Sequence, residues 1–466
     1  VHLPEKLIQS LKDARGFDEN EFINIHQSGE QITSIRFNPL KSSMVNGQCS
    51  IKEPLIHDSP FTIHEKVPWS SFGFYLKERP SFTLDPLLHA GAYYVQEASS
   101  MFLEQVFKQT VDLTKSLRVL DLCAAPGGKS TLIQSIISTD SLLVSNEVIK
   151  QRANILCENL TKWGASNMIV SNNDPKDFSR LENFFDVIVI DAPCSGSGLF
   201  RKEPEAINEW SEENVKLCSM RQQRILADVM PALKQNGILI YSTCSYSKEE
   251  DEDILDWMAE KFVLTSVQLQ LDEQWDIIET ISEKSNRYGY RFYPDKLKGE
   301  GFFIAAFQKN DGSDFFFPKS KKTNFEKLTK NEEAIAGKWI MDNEKVKLIK
   351  IENSVYAIPE NLLSDFNFLK SSLYIKKAGI LLGKMTPHEL IPEHELALST
   401  LINVDVNCIE LTKKQALSYL RKEEIKIETE DKGWCIVTYQ NQSLGWIKVL
   451  QNRINNYYPS EWRVRI

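Results

Sequence analysis

The chain has 466 residues, enough for about three domains at ~150 residues each. Hydrophobic residues make up 42% and charged residues 26%, the balance of a globular protein rather than a disordered or fibrous one. The formal charge of −9 argues against a packaging protein, because indiscriminate nucleic-acid affinity comes mostly from cations that neutralise phosphates. No uncharged apolar stretch approaches the ~18 residues that a membrane span needs. Residues 1–13 carry Glu5, Lys6, Lys12 and Asp13 and lack the apolar core and small-residue cleavage site of a signal peptide, so a soluble, cytoplasmic protein is expected.

In chain order, residues 1–80 read as a small mixed domain. Residues 81–309 then alternate short β-branched runs with segments of helical period, the mark of an α/β fold. The runs are 117–122, 142–145, 168–171, 186–190 and 237–241, with 301–307 as a later strand; helices are predicted over 130–137, 149–163, 212–234 and 249–261. Apolar runs with little alternation imply strands covered on both faces, hence a doubly wound, Rossmann-like parallel sheet. Ligands are then expected at the carboxyl ends of its strands. Residues 308–330, with Phe315, Phe316, Phe317, Lys319, Lys321 and Lys322, read as a lysine-rich linker. A first small C-terminal domain is placed up to residue 385. A β-rich domain follows over 386–466, with strands at 434–439 and 444–449.

None of the eight cysteines has the C-x-x-C spacing of a zinc or redox site, and no metal is expected. Cys49, Cys157, Cys218, Cys408 and Cys435 read as small buried apolar groups. The other three lie in loops after strands. The first strand ends in Asp121-Leu122-Cys123-Ala124-Ala125-Pro126-Gly127-Gly128-Lys129-Ser130, a small-residue turn into a helix where backbone can approach a ligand. A phosphate-binding loop needs glycine where Cys123 stands. The second strand ends at Glu147, 26 residues after Asp121, where an acid can accept from both hydroxyls of a ribose. Asn172-Asn173-Asp174 after the third strand could read an adenine amino group. Ribose and adenine recognition without a phosphate loop points to S-adenosylmethionine.

The fourth strand runs into Asp191-Ala192-Pro193-Cys194-Ser195-Gly196-Ser197-Gly198, and the fifth into Ser242-Thr243-Cys244-Ser245. Two thiols on the cofactor edge suit methylation of a pyrimidine at carbon 5, which is a feeble nucleophile until a thiolate adds at carbon 6. Asp191 can stabilise the charge that develops on the ring. From the residues alone either thiol could attack, and a Pro-Cys nucleophile, as in DNA cytosine methylation, would favour Cys194. An exocyclic amino methyltransferase would carry an Asp/Asn-Pro-Pro-aromatic turn instead.

These three motifs, in this order, resemble those of the Sun/Nop/Fmu family of RNA 5-methylcytosine methyltransferases. Arg36-Phe37-Asn38-Pro39-Leu40-Lys41 and the Gly91–Met101 segment are similar to that family's upstream motifs. The resemblance implies a SAM-dependent methyltransferase domain in which Cys123, Ala124, Ala125, Pro126, Gly127, Gly128, Lys129, Glu147, Asp174 and Asp191 line the cofactor and cytosine pocket. It implies Cys244 as nucleophile, Cys194 as the thiol that assists release, and Lys129 near the base. Val67-Pro68-Trp69, Pro392–Leu398, Gly445–Lys448 and Asn455–Pro459 resemble the bacterial 16S ribosomal-RNA branch, whose tail includes a PUA-like RNA-binding domain. Ribosomal RNA, or the small subunit, is thus the expected partner of a monomeric enzyme, with transfer RNA or a scaffolding role in subunit assembly as alternatives. Lys448, Arg453, Arg463 and Arg465 against Glu461 give the tail a balance of +3. Tyr457, Tyr458 and Trp462 could stack on bases there or form the core of a small domain. Arg36 and Lys41 are expected to contact RNA. The target base must be unpaired or flipped.

Overall fold

The computed structural model describes residues 2–42, 62–317, 326–341 and 345–465. Cys49, Pro318, Lys319, Lys321 and Lys322 lie outside the described residues. The first unit comprises helices Glu5–Leu11 and Glu19–Gln27 and a four-stranded antiparallel sheet; the helices bury Leu7, Ile8, Leu11 and Phe22 against Phe200, Tyr246 and Tyr293, while the sheet has a core of its own around Ile35, Phe37 and Tyr93. The second helix starts at Asp18, whose carboxylate accepts from the backbone of Asn20 and Glu21, satisfying two of the donors that a helix start leaves open. The sheet continues past the expected boundary at residue 80: Tyr93–Val95 pairs with Thr33–Phe37.

The central sheet has the spatial order Ile278–Ile281, Tyr288–Phe292, Phe302–Lys309, Leu233–Thr243, Phe185–Asp191, Arg118–Asp121, Leu142–Asn146, Met168–Ser171, Ile375–Ala378. The five strands from Leu233–Thr243 to Met168–Ser171 are parallel, and the flanking ones are antiparallel, so the sheet is mixed rather than wholly parallel. Successive residues of each parallel strand enter opposite cores. Val119, Leu143, Val170, Val187 and Ile240 face one side; Leu120, Val144, Ile169, Ile188 and Leu239 face the other. Both faces are therefore covered, as the near-continuous apolar runs predict.

The helix predicted to reach residue 234 stops at Val229. Pro231 cannot continue it; Met230–Ala232 forms a 3-10 turn, and the strand begins at Leu233. The segment read as a linker is anchored. Lys309 is still in a strand, Phe315 packs against Phe184 and Phe368, and the Arg118 guanidinium lies 4.8, 5.0 and 5.2 Å from the rings of Phe184, Phe315 and Phe317.

Beyond it, Val346–Ile351, Ser354–Pro359, Ile380–Met385 and Leu390–Pro392 form a small sheet, while Ile375–Ala378 crosses to the edge of the central sheet. The last unit is a sheet of Cys408–Glu410, Gly433–Tyr439, Gln442–Val449 and Ile454–Asn456. Among the described residues no helix is long and apolar enough to cross a membrane.

Candidate functional site

The strand order reverses at Arg118–Asp121: the chain goes from there first to Leu142–Asn146 and Met168–Ser171 on one side, then to Phe185–Asp191 on the other. The crevice at such a switch point is where ligands sit in doubly wound sheets. The 121–130 turn lies there. Gly127 has φ +118°, a conformation that L side chains rarely adopt, and a Cβ would stand 3.1 Å from Leu160 Cδ1. Helix Lys150–Trp163 braces the turn: Arg152 donates to the Ala125 carbonyl and Asn159 to that of Pro126, each at 2.8 Å.

Glu147 is buried at the next strand end, accepting from the Ile149 backbone (2.8 Å) with Arg152 3.4 Å away. Of the three polar residues after Met168–Ser171, two are committed to the protein. Asn172 donates to the carbonyls of Glu147 and Val148; Asn173 accepts from the Tyr374 backbone and donates to Asp177. These bonds engage the side-chain nitrogens of both residues, and the Asn173 oxygen, with protein groups. Asp174 caps the following turn, accepting from the Lys176 backbone at 3.1 Å. Two buried polar atoms in register on adjacent strands, Asp121 Oδ1 and Ser145 Oγ, have no hydrogen-bond partner among the described residues. A small polar ligand such as S-adenosylmethionine fits this donor and acceptor set.

On the other side of the switch point, the Lys129 ammonium lies 2.7 Å from Asp191 Oδ2, and Ser242 donates to Asp191 Oδ1 at 2.9 Å. Burial lowers the Lys129 pKa, but Asp191 outweighs it and holds the group above its usual value, so it stays charged. Its Nζ is 5.2 Å from the centre of the Phe302 ring, within cation–π range. Cys194 and Cys244 follow adjacent strands in register, and their sulfurs are 3.0 Å apart. The contact with Cys244, and then burial, raise the Cys194 pKa well above that of a free thiol. The Cys123 pKa is pushed up by burial and by Asp121, Asp191 and Glu147, which disfavours a thiolate there. The two cysteine loops touch through backbone: the Gly198 N–H donates to the Cys244 carbonyl at 2.8 Å. A Cβ at Gly198 would stand 2.5 Å from the Gly301 carbonyl oxygen, so only glycine permits this approach.

Arg36 and Lys41 are not RNA contacts but buried fasteners. Arg36 donates to Gln96, Ser135 and Thr131 at 2.8, 3.0 and 2.6 Å, and burial lowers its pKa to about 9. Lys41 donates to the carbonyls of Ala90 and Lys162, and burial lowers its pKa to about 7. The upstream motif thus clamps the first unit onto the catalytic domain. In the tail, Tyr458 is core, and Trp462 packs edge-on against buried His394. Tyr457, Arg453, Arg463 and Arg465 remain exposed. Cys218 and Cys435 are buried as expected, but Cys408 is exposed. The consecutive buried acids Glu250, Asp251 and Glu252 carry no sequence signal of burial, because acidic residues ordinarily face water; the adjoining Ser-Thr-Cys-Ser motif is the signal nearest to them. Among the described residues no three His, Cys, Asp or Glu side chains cluster as metal ligands.

Three family models match the chain in order: the N-terminal domain of 16S rRNA methyltransferase RsmF over residues 3–98, 16S rRNA methyltransferase RsmB/F over 108–308, and the methyltransferase RsmF PUA domain over 406–464. Ribosomal RNA small subunit methyltransferase F of Aliivibrio fischeri (strain MJ11) is 29% identical over 446 residues, covering 92% of this chain and 90% of that one. The Shewanella piezotolerans protein of the same name is 27% identical, covering 99% and 97%. A methyltransferase homologue from Pyrococcus horikoshii of solved structure superposes with a TM-score of 0.51 at 27% identity, over 66% of this chain and all of that one. NSun6 from Pyrococcus horikoshii, solved with SFG, gives 0.54 at 19% identity, over 66% and 98%, and shares the fold. With its matched N-terminal, methyltransferase and PUA domains in sequence, the chain belongs to the Sun/Nop/Fmu family, in the RsmF-like branch of the RsmB/F methyltransferases.

Proposed function

We propose that this protein methylates carbon 5 of one or a few cytidines in 16S ribosomal RNA, with Cys244 as nucleophile and S-adenosylmethionine as cofactor. The observation that carries the reading is the pair of thiols 3.0 Å apart at a sheet edge beside the Lys129–Asp191 ion pair. The names of the relatives from Aliivibrio fischeri and Shewanella piezotolerans support the RNA class. A methylase of that substrate acts in the cytoplasm, where small subunits are assembled.

Glu147 and Asp174 would hold the cofactor's ribose and base, and the 123–129 turn its amino-acid end. The cofactor, when bound, supplies an electrophilic methyl group. The Cys244 sulfur forms a bond to carbon 6 of the cytosine, which moves electron density onto carbon 5. Lys129 and Asp191 offer hydrogen bonds to the edge of the base and offset the charge that develops on the ring. Such interactions count most once the bound base displaces water from around them. Water takes the carbon-5 proton, the carbon–hydrogen electrons form the ring double bond and the carbon–sulfur electrons leave with the Cys244 sulfur, to which Cys194, still a neutral thiol, donates a hydrogen bond. Release then restores the aromatic ring. The exposed Arg453, Arg463, Arg465 and Tyr457 of the PUA domain suit phosphates and an unpaired base, so docking selects the RNA and the pocket selects only the base.

The test is to incubate the enzyme and cofactor with small subunits, 16S RNA and transfer RNA from cells lacking the gene. Bisulfite sequencing then reads the product. Protection confined to a few 16S cytosines is expected. Methylation of transfer RNA alone, or of a cytosine position other than carbon 5, contradicts the reading.

A further inference from the structure

The three buried acids after the Cys244 loop each grip part of the catalytic edge. Glu252 pairs with Arg291 through both oxygens, at 2.7 and 2.5 Å. Arg291 also donates to the Tyr246 carbonyl at 2.9 Å. Asp251 accepts from the Thr243 hydroxyl at 2.6 Å. These contacts flank Cys244 alone, whereas Glu250 reaches both cysteine loops. Its Oε1 accepts from the Ser195 backbone N–H at 2.8 Å and from Gln222 Nε2 at 3.1 Å. Its Oε2 accepts from the hydroxyls of Ser195 and Ser245 at 2.5 and 2.6 Å. Ser195 follows Cys194 and Ser245 follows Cys244, so one carboxylate ties together the residues next to both thiols. Gln222 donates in turn to the Pro193 carbonyl at 3.1 Å, backing the same loop from helix Glu212–Val229.

We infer that Glu250 is a positioning residue: it touches neither base nor cofactor but sets the Cys194 and Cys244 sulfurs in register for addition and release. The inference rests on the thiolate reaction proposed above. Hydrogen bonds to a buried carboxylate are short and strong, and four of them converge from three separate segments. Their loss would loosen the loops rather than unfold the sheet, because the Gly198 N–H to Cys244 carbonyl bond still joins the two loops. A glutamine can keep the bridge. Its carbonyl replaces Oε1 beneath the two N–H donors, and its NH₂ donates to the two serine hydroxyls, which can turn to accept. An alanine leaves the Ser195 N–H and one of the two Gln222 Nε2 hydrogens unpaired, the other still donating to the Pro193 carbonyl.

The experiment titrates active sites with RNA carrying 5-fluorocytosine, in which no proton can leave carbon 5 and the thiolate adduct persists. It then measures single-turnover methylation of ordinary RNA per titrated site. For Glu250→Ala the rate per site should fall at least about 100-fold at unchanged RNA affinity, and for Glu250→Gln less than about tenfold, the scale expected when reacting groups shift by ~1 Å. A wild-type rate per site in Glu250→Ala overturns the inference, as does equal impairment of both variants that tracks only the loss of folded protein. A wild-type enzyme that forms no adduct overturns the underlying reaction and the inference together.

Discussion

Replacing Arg36 by alanine separates a buried fastener from an RNA contact. The side chain is fully buried, and its guanidinium lies 4.7 Å from the centre of the Trp163 ring. Its removal orphans the Oε1 of Gln96, a residue only 6% exposed, at about 1–3 kcal/mol. Thr131 and Ser135 lose a donor but keep their own carbonyl acceptors and change little. The vacated volume against Trp163 adds about 2–3 kcal/mol. Relief of the burial of a charge with no carboxylate among its hydrogen-bond partners offsets part of this, leaving a net loss of about 3 kcal/mol. For a domain of this size the first thermal transition should drop by roughly 6–12 °C. RNA affinity of the folded fraction, and its dependence on salt, should stay as in wild type. An unchanged transition with weaker RNA binding, and a salt slope reduced by about one, would refute the burial argument.

Glu147→Gln should weaken S-adenosylmethionine binding by about tenfold or more, since a neutral amide loses a charge-assisted bond to each ribose hydroxyl; calorimetry measures it, and unchanged affinity would remove Glu147 from the cofactor site. His394 is buried with neither ring nitrogen hydrogen-bonded among the described residues, and burial lowers its pKa to about 3. The folded state therefore refuses a proton that the unfolded chain accepts, so the contribution of His394 is present above pH ~6.5 and is lost as pH falls toward about 3. The stability of His394→Phe relative to wild type should rise by about 1.4 kcal/mol per pH unit as pH falls below ~6; a pH-independent difference in denaturation midpoints would contradict this.

Much of the central domain was legible because its signals are local. Met168–Ser171 has the predicted bounds, and helix Lys150–Trp163 ends where Gly164 adopts φ +89°. The site loops were legible for the same reason: strand ends and small-residue turns lie side by side in sequence. Pairings across long separations were not. Ile375–Ala378 reads as polar, yet buried Lys377 is neutralised by Glu395 and the strand adds to the catalytic sheet. Arg36, Lys41 and Glu250 defeated sequence reading alike. A charged side chain is presumed solvated until the partners that satisfy it, some nearly one hundred residues away, are known. The choice between Cys194 and Cys244 also escaped the residue pattern, because both thiols reach the same edge.

That choice is open to direct measurement. Wild type, Cys194→Ala and Cys244→Ala are incubated with 16S RNA and S-adenosylmethionine, and protein–RNA adducts are resolved by denaturing electrophoresis. The account predicts a persistent adduct with Cys194→Ala, none with Cys244→Ala, and turnover only in wild type. An adduct retained by Cys244→Ala and absent from Cys194→Ala would contradict it.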